Sequence, residues 1–132
     1  MDTQNWYQSL IRPSWAPPAW LFGPVWTALY VIIAASFGAA GYMFAKGRIS
    51  FLVLLPFILN LIFNFAFTPI QFGLKNNLLA AVDILLVLVT LIWALVAIYP
   101  HARWIALVNV PYLLWVLFAT VLQLTITQMN WK

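Results

Sequence analysis

Asn60, Asn64, Phe67 and Gln71 stand at i, i+4, i+7 and i+11, a spacing that places them on one face of a helix. Three amides on one stripe of an otherwise apolar run must meet protein or a polar cavity. Left unsatisfied in hydrocarbon, each would cost on the order of several kcal/mol. The stripe has two readings: hydrogen-bond glue between helices, or the lining of a pocket. Two aromatic stripes accompany it. Trp26 and Tyr30 are i and i+4; Pro111, Trp115 and Ala119 are spaced by four, and Gln123 continues their face. A ring followed one turn on by a small residue forms a flat slot, although aromatic stripes more commonly serve core packing. Convergence of all three stripes would give mostly apolar walls with a few fixed polar groups, the usual composition of a ligand pocket.

Other reactive side chains are sparse. Asp83 is the only carboxylate inside an apolar run, about two turns from its start and within reach of the interface. It reads as a carboxylate kept neutral or capped by neighbours rather than as a proton relay, because no second carboxylate or buried histidine accompanies it. His101 follows Pro100 in a loop and has no partner with which to hold a metal. There is no cysteine, which excludes disulfides and thiolate chemistry. No Ser/His/Asp set, glycine-rich phosphate loop or carboxylate pair is present, and no motif requires a cofactor.

The elements that must position these groups are membrane helices. Hydrophobic residues make up 66% of the chain and charged residues 6%, against roughly a quarter charged in a soluble domain. Six basic residues near the ends of apolar runs suit snorkelling to phosphates, and the net charge of +4 carries no nucleic-acid signal. The pattern predicts an all-α integral membrane protein, a bundle of four transmembrane helices over 24–45, 49–72, 78–99 and 103–127. An interfacial Trp/Pro-rich loop over 1–23 precedes it, and 24–132 forms the bundle. Pro24 suits a helix's first turn, and Pro56 and Pro111 are expected kinks. Gly38 and Gly41, with alanines at 34, 35, 39 and 40, offer a small-residue surface for close helix contact. Met1 to Asn5 is polar with no apolar stretch and cleavage site behind it, so no cleavable signal is expected. Arg12, Lys75 and Lys132 fall at one end and Lys46, Arg48 and Arg103 at the other, so loop charge assigns no orientation.

The run Trp6-Tyr7, Arg12-Pro13-Ser14-Trp15, Pro17-Pro18, Pro24-Val25-Trp26 and Leu29-Tyr30 resembles the translocator protein family, the TspO or tryptophan-rich sensory proteins, also called peripheral benzodiazepine receptors. The likeness continues through Leu59-Asn60, Asn64, Pro69, Phe72-Gly73 and Ala81-Val82-Asp83-Ile84-Leu85-Leu86-Val87. It ends with Pro111-Tyr112-Leu113-Leu114-Trp115 and Phe118-Ala119. These motifs keep their order over nearly the whole chain. The family has five transmembrane helices with the Trp/Pro-rich loop between the first and second. This chain begins just before that loop, so the resemblance implies equivalents of helices two to five. The flank left by the first helix implies a partner protomer, hence a homo-oligomer. Phe65 and Phe67 stand where members often carry Trp. Leu124 stands where the animal cholesterol-recognition pattern has Tyr, so no specific cholesterol binding is expected.

The resemblance implies binding of porphyrins, protoporphyrin IX above all, and of benzodiazepine-type drugs, under the Trp/Pro-rich loop. Light- and oxygen-dependent porphyrin breakdown in some members implicates two pocket tryptophans, which correspond to Trp26 and Trp115. The ligand set it implies here is Trp15, Trp26, Tyr30, Asn60, Asn64, Phe67, Trp115 and Ala119, with the segment Trp6 to Trp20 as lid. The expected partners are porphyrin or another hydrophobic small molecule and the lipid bilayer, with no nucleic acid, in a multi-pass position in a bacterial cell membrane. Three roles are open: a tetrapyrrole sensor, scavenger or light-dependent degrader; a transporter of porphyrin or lipid intermediates; and a non-catalytic membrane scaffold.

Overall fold

A computed structural model describes residues 19–68, 70 and 77–129 of the chain. Among them are five α-helices and no strand: α1 (Ala19–Ala45), α2 (Phe51–Thr68), α3 (Asn77–Ile98), α4 (Arg103–Val108) and α5 (Val110–Met129). Three segments are long and apolar enough to cross a membrane: Gly23–Ala45, Asn77–Ile98 and Val110–Met129. The 18 residues of α2 span about 27 Å at the helical rise, close to the thickness of a hydrocarbon core. The protein is therefore a multi-pass integral membrane protein, an all-helical bundle as its composition requires. Residues 1–18, including Trp15 and most of the expected lid, lie outside the described residues, as do Pro69 and Gln71.

Helix α3 is the centre. It packs most extensively on α2 and next on α5, while α1 approaches α2, α4 and α5 less closely. The buried residues Ala80, Ile84, Val87, Leu91, Ala94 and Ile98 explain this. They repeat by four and three, the seam along which two helices can stay in contact. Alanines at 80, 81 and 94 let neighbouring backbones close in, which matters because lipid removes the hydrophobic drive between helices and leaves packing to hold them. Helix α1 presents larger side chains inward, Leu29, Ile33 and Phe37, which hold it further out. Phe37 meets Phe57 of α2 edge to face, with ring centroids 4.8 Å apart.

The small residues of α1 face the other way. Gly38, Ala34 and Ala35 are exposed, and a Cβ added at Gly38 or Gly41 would meet nothing within 4 Å among the described residues. Among those residues the close helix contact expected of this surface is not made at Gly38; of the set, Ala40 is fully buried and Ala39 packs against the core. Helix α1 also starts at Ala19, so Pro24 lies inside it rather than in its first turn. Pro24's ring costs the carbonyl of Trp20 one helical bond, close enough to the helix start for the loss to be tolerated.

Two joints set the topology. At the α1–α2 turn, Arg48 N–H bonds Met43 O at 2.8 Å and Gly47 N–H bonds Phe44 O at 2.9 Å, with Gly47 at φ 73°. This is the Schellman arrangement, which needs a left-handed residue after the helix and so favours glycine. The second joint divides the last span. The expected kink at Pro111 is realised as a break two residues earlier, at Asn109. Pro111 has no N–H to give Leu107, so regular bonding cannot run through this turn. Asn109 N–H bonds Ala106 O at 3.3 Å, three residues back, and its side-chain Nδ2 takes the Ile105 carbonyl at 2.7 Å in place of the backbone. The same Nδ2 donates to Ser36 Oγ of α1 at 2.9 Å, and so ties the joint to the first helix.

Gly47→Ala is expected to lower bundle stability by about 1 kcal/mol, because the added Cβ must adopt left-handed backbone. Gly38→Ala should be neutral or stabilising by up to about 1 kcal/mol through helix propensity. Thermal unfolding followed by circular dichroism in nanodiscs separates the two, and a destabilised Gly38→Ala would mean that this face is covered in the bilayer.

Candidate functional site

Tyr112 has no exposed surface, although it carries a hydroxyl into the middle of a membrane bundle. Such a group persists only if both its donor and acceptor capacity are used. Its O–H donates to Asn60 Oδ1 at 2.8 Å, and its oxygen accepts from Asn64 Nδ2 at 2.7 Å. Asn60 Nδ2 donates to the Val87 carbonyl at 2.9 Å and to Thr90 Oγ1 at 3.2 Å, both on α3. The Thr90 hydroxyl in turn donates to Leu86 O at 2.7 Å. On the other side, the Tyr30 hydroxyl donates to Asn64 Oδ1 at 3.2 Å. One network thus joins α1, α2, α3 and α5.

Rings wall this network on the α1 side. Trp26 and Tyr30, one turn apart, have centroids 5.5 Å apart, and the Trp26 ring meets Tyr112 edge-on at 6.4 Å. Tyr30 lies against Phe65 of α2 at 6.0 Å. Trp26 is half-buried and Tyr30 is 38% exposed, so both present surface to the outside of the described bundle. The cluster lies toward the end at which α1 begins and α2 finishes.

The network's bonds divide its members by role. Both amide hydrogens of Asn60 and both functions of the Tyr112 hydroxyl are spent on helix contacts. Asn64 keeps a second amide hydrogen and Tyr30 keeps oxygen lone pairs, with no further bond to either among the described residues. The uncommitted polar capacity of the cluster therefore lies with the exposed Tyr30 and with Asn64, which is buried and bonded to it.

The remaining expected positions fall around it. Phe67 is half-buried against the core; Trp115 is half-buried with its ring 5.4 Å from Phe118; Ala119 is half-buried. The Ser36–Asn109 bond sets antiparallel α1 and α5 in register. Six residues along each helix from that bond bring Tyr30 and Trp115 to about the same level, and ten bring Trp26 and Ala119 there. Gln123 is buried and donates to Asn77 O at 3.3 Å, a carbonyl that also accepts from Thr127 Oγ1 at 3.0 Å. That face of α5 clamps the start of α3. Asp83 is 5% exposed, and its Oδ2 has no hydrogen bond among the described residues. It shares a face of α3 with Thr90, seven residues on.

Sequence reasoning missed Tyr112 and Thr90 as site-forming groups. The signal for Tyr112 lay one position from the stripe at 111, 115 and 119. Tyr112, Val116 and Thr120 are also spaced by four, and these are the buried ones. For Thr90, a hydroxyl in the most apolar span, opposite an amide stripe, was the available sign.

The TspO/MBR family profile matches residues 1–129. The tryptophan-rich protein TspO of Bacillus cereus is similar at 39% identity over 129 residues, covering 96% of this chain and 82% of its own length. That of Chlorobaculum tepidum is 35% identical over 126 residues, covering 95% and 79%. The human translocator protein is 35% identical over 131 residues, covering 96% and 75%.

Tyr112→Phe and Asn60→Ala should each lower stability by about 1–2 kcal/mol, the upper range for hydrogen bonds between membrane helices. The double variant should lose less than the sum by at least about 0.5 kcal/mol. Unfolding in SDS followed by tryptophan fluorescence measures this, and additive losses would refute the bond between the two.

Proposed function

Because this chain belongs to the TspO/MBR family, we propose that it binds a flat, hydrophobic tetrapyrrole of the protoporphyrin IX type within the bilayer, as a sensor or scavenger. The observation that carries this reading is the aromatic wall of Trp26 and Tyr30 set directly on a satisfied amide–phenol network. A macrocycle stacks on the indole of Trp26, and the second amide hydrogen of Asn64 offers a hydrogen bond to a propionate or carbonyl, while the Tyr30 oxygen can accept one from a pyrrole or hydroxyl donor. Asn60 and Tyr112 hold the floor rigid and act through Asn64. Phe67, Trp115 and Ala119 complete the slot, with Trp15 and its neighbours as the lid. The same site suits other flat apolar molecules of the benzodiazepine class.

Relatives carry the names tryptophan-rich sensory protein and translocator protein, which are compatible with binding without turnover. Light-dependent breakdown is the further step this site could support. A bound porphyrin excited beside Trp26 or Trp115 can exchange an electron with indole, with dioxygen as the oxidant. A transport reading draws on the interruption of the last span at Asn109, since broken helices line substrate paths in transporters. Porphyrin flux in proteoliposomes above protein-free vesicles would favour it.

Titration of the protein in nanodiscs with protoporphyrin IX in the dark is expected to give saturable tryptophan quenching. Trp26→Phe or Trp115→Phe should weaken affinity by about two- to tenfold, the worth of one aromatic contact. Porphyrin absorbance lost only under illumination would identify the degrader. Linear quenching indifferent to both substitutions would reject the site, since it reports partition into lipid alone.

A further inference from the structure

We propose that the end of the bundle formed by the α1–α2 and α3–α4 turns is a docking surface for anionic phospholipid headgroups. It is independent of the tetrapyrrole reading. Both turns lie wholly within the described residues, and together they expose Lys46, Arg48 and Arg103. The chain has two acidic side chains, Asp2 and Asp83. Asp2 precedes α1, and Asp83 lies six residues past the start of α3, toward the other end of that helix. No carboxylate side chain therefore neutralises these cations among the described residues.

The cations are also arranged rather than scattered. Lys46 Nζ lies over the Tyr42 ring at 5.6 Å, and the Arg103 guanidinium over the Tyr99 ring at 5.5 Å. Each ring thus holds a cation near a helix end, the level at which a headgroup layer would meet it. Counting from the Ser36–Asn109 bond, six residues along each antiparallel helix bring Tyr42 and Arg103 to the same level. Lys46, one turn beyond Tyr42, then lies at the same end of the bundle, about one turn past the level of Arg103. Trp104 is 53% exposed beside it, an amphipathic ring suited to the same layer. Cations lacking counter-ions and mounted on interfacial rings match a phosphodiester whose headgroup carries no compensating positive charge. A choline headgroup brings its own cation and satisfies this surface less well.

The test is competition between phosphatidylglycerol and phosphatidylcholine of equal chain length, read as lipid retained on the purified protein by native mass spectrometry. The wild type should retain phosphatidylglycerol by at least about fivefold over phosphatidylcholine, the worth of a single interfacial cation. The triple variant Lys46→Gln, Arg48→Gln, Arg103→Gln should lose that preference, and Arg48→Gln alone should reduce it if the triple variant fails to fold. Lys132→Gln, three residues beyond the end of α5 in sequence and no part of either turn, should leave it unchanged. No preference in the wild type, a preference untouched by the charge-removing variants, or equal loss in Lys132→Gln would each overturn the proposal.

Discussion

Everything in this bundle is arranged around one fully buried phenol. Tyr112 brings a hydroxyl to a place where water does not reach, and hydrocarbon leaves no alternative partner for it. Asn60 and Asn64 answer it from α2, and Asn60 carries the connection on to α3 through a carbonyl and Thr90. Four helices are thereby held in one angular register about their axes. Apolar packing alone specifies register weakly in lipid, where one greasy face is much like another. The network supplies direction; the alanine-lined seam of α3 supplies closeness.

The division of the two amides follows from their position along α2. They lie one turn apart, yet Asn60 faces α3 and Tyr112 with all its donors engaged, while Asn64 looks toward α1 and the exposed Tyr30. A fixed polar floor and an adjustable polar edge come from the same residue type. Such an arrangement satisfies the interior of the bundle while leaving one amide hydrogen of Asn64 uncommitted among the described residues.

Much of this was legible in the sequence. The absence of charge within long apolar runs dictated membrane helices, and the four-residue recurrence of Asn60 and Asn64 placed both on one buried face. The reading of that stripe as glue between helices holds at both Asn60 and Asn64, whose bonds reach α1, α3 and α5. What periodicity could not supply was phase on α5. The stripes at 111, 115, 119 and at 112, 116, 120 are equally regular, and only contacts from other helices decide that the second is buried. Small residues on α1 misled for a related reason: glycine and alanine permit close approach but do not say from which side a neighbour comes. The break at Asn109 rather than Pro111 was hidden because a proline's effect falls on carbonyls upstream, and an asparagine side chain repaired one of them.

The lighter attachment of α1 has a consequence for how the protein comes together in the membrane. Helices α2 and α5 both pack on the close seam of α3, so these three define a subassembly whose cohesion depends little on α1. Helix α1 docks onto that surface mainly through rings, the Tyr30 hydroxyl and the Ser36–Asn109 bond. The aromatic wall of the cluster is thus also its most lightly fastened part. Whatever loosens this bundle parts α1 first, the outermost stave of an otherwise closed core.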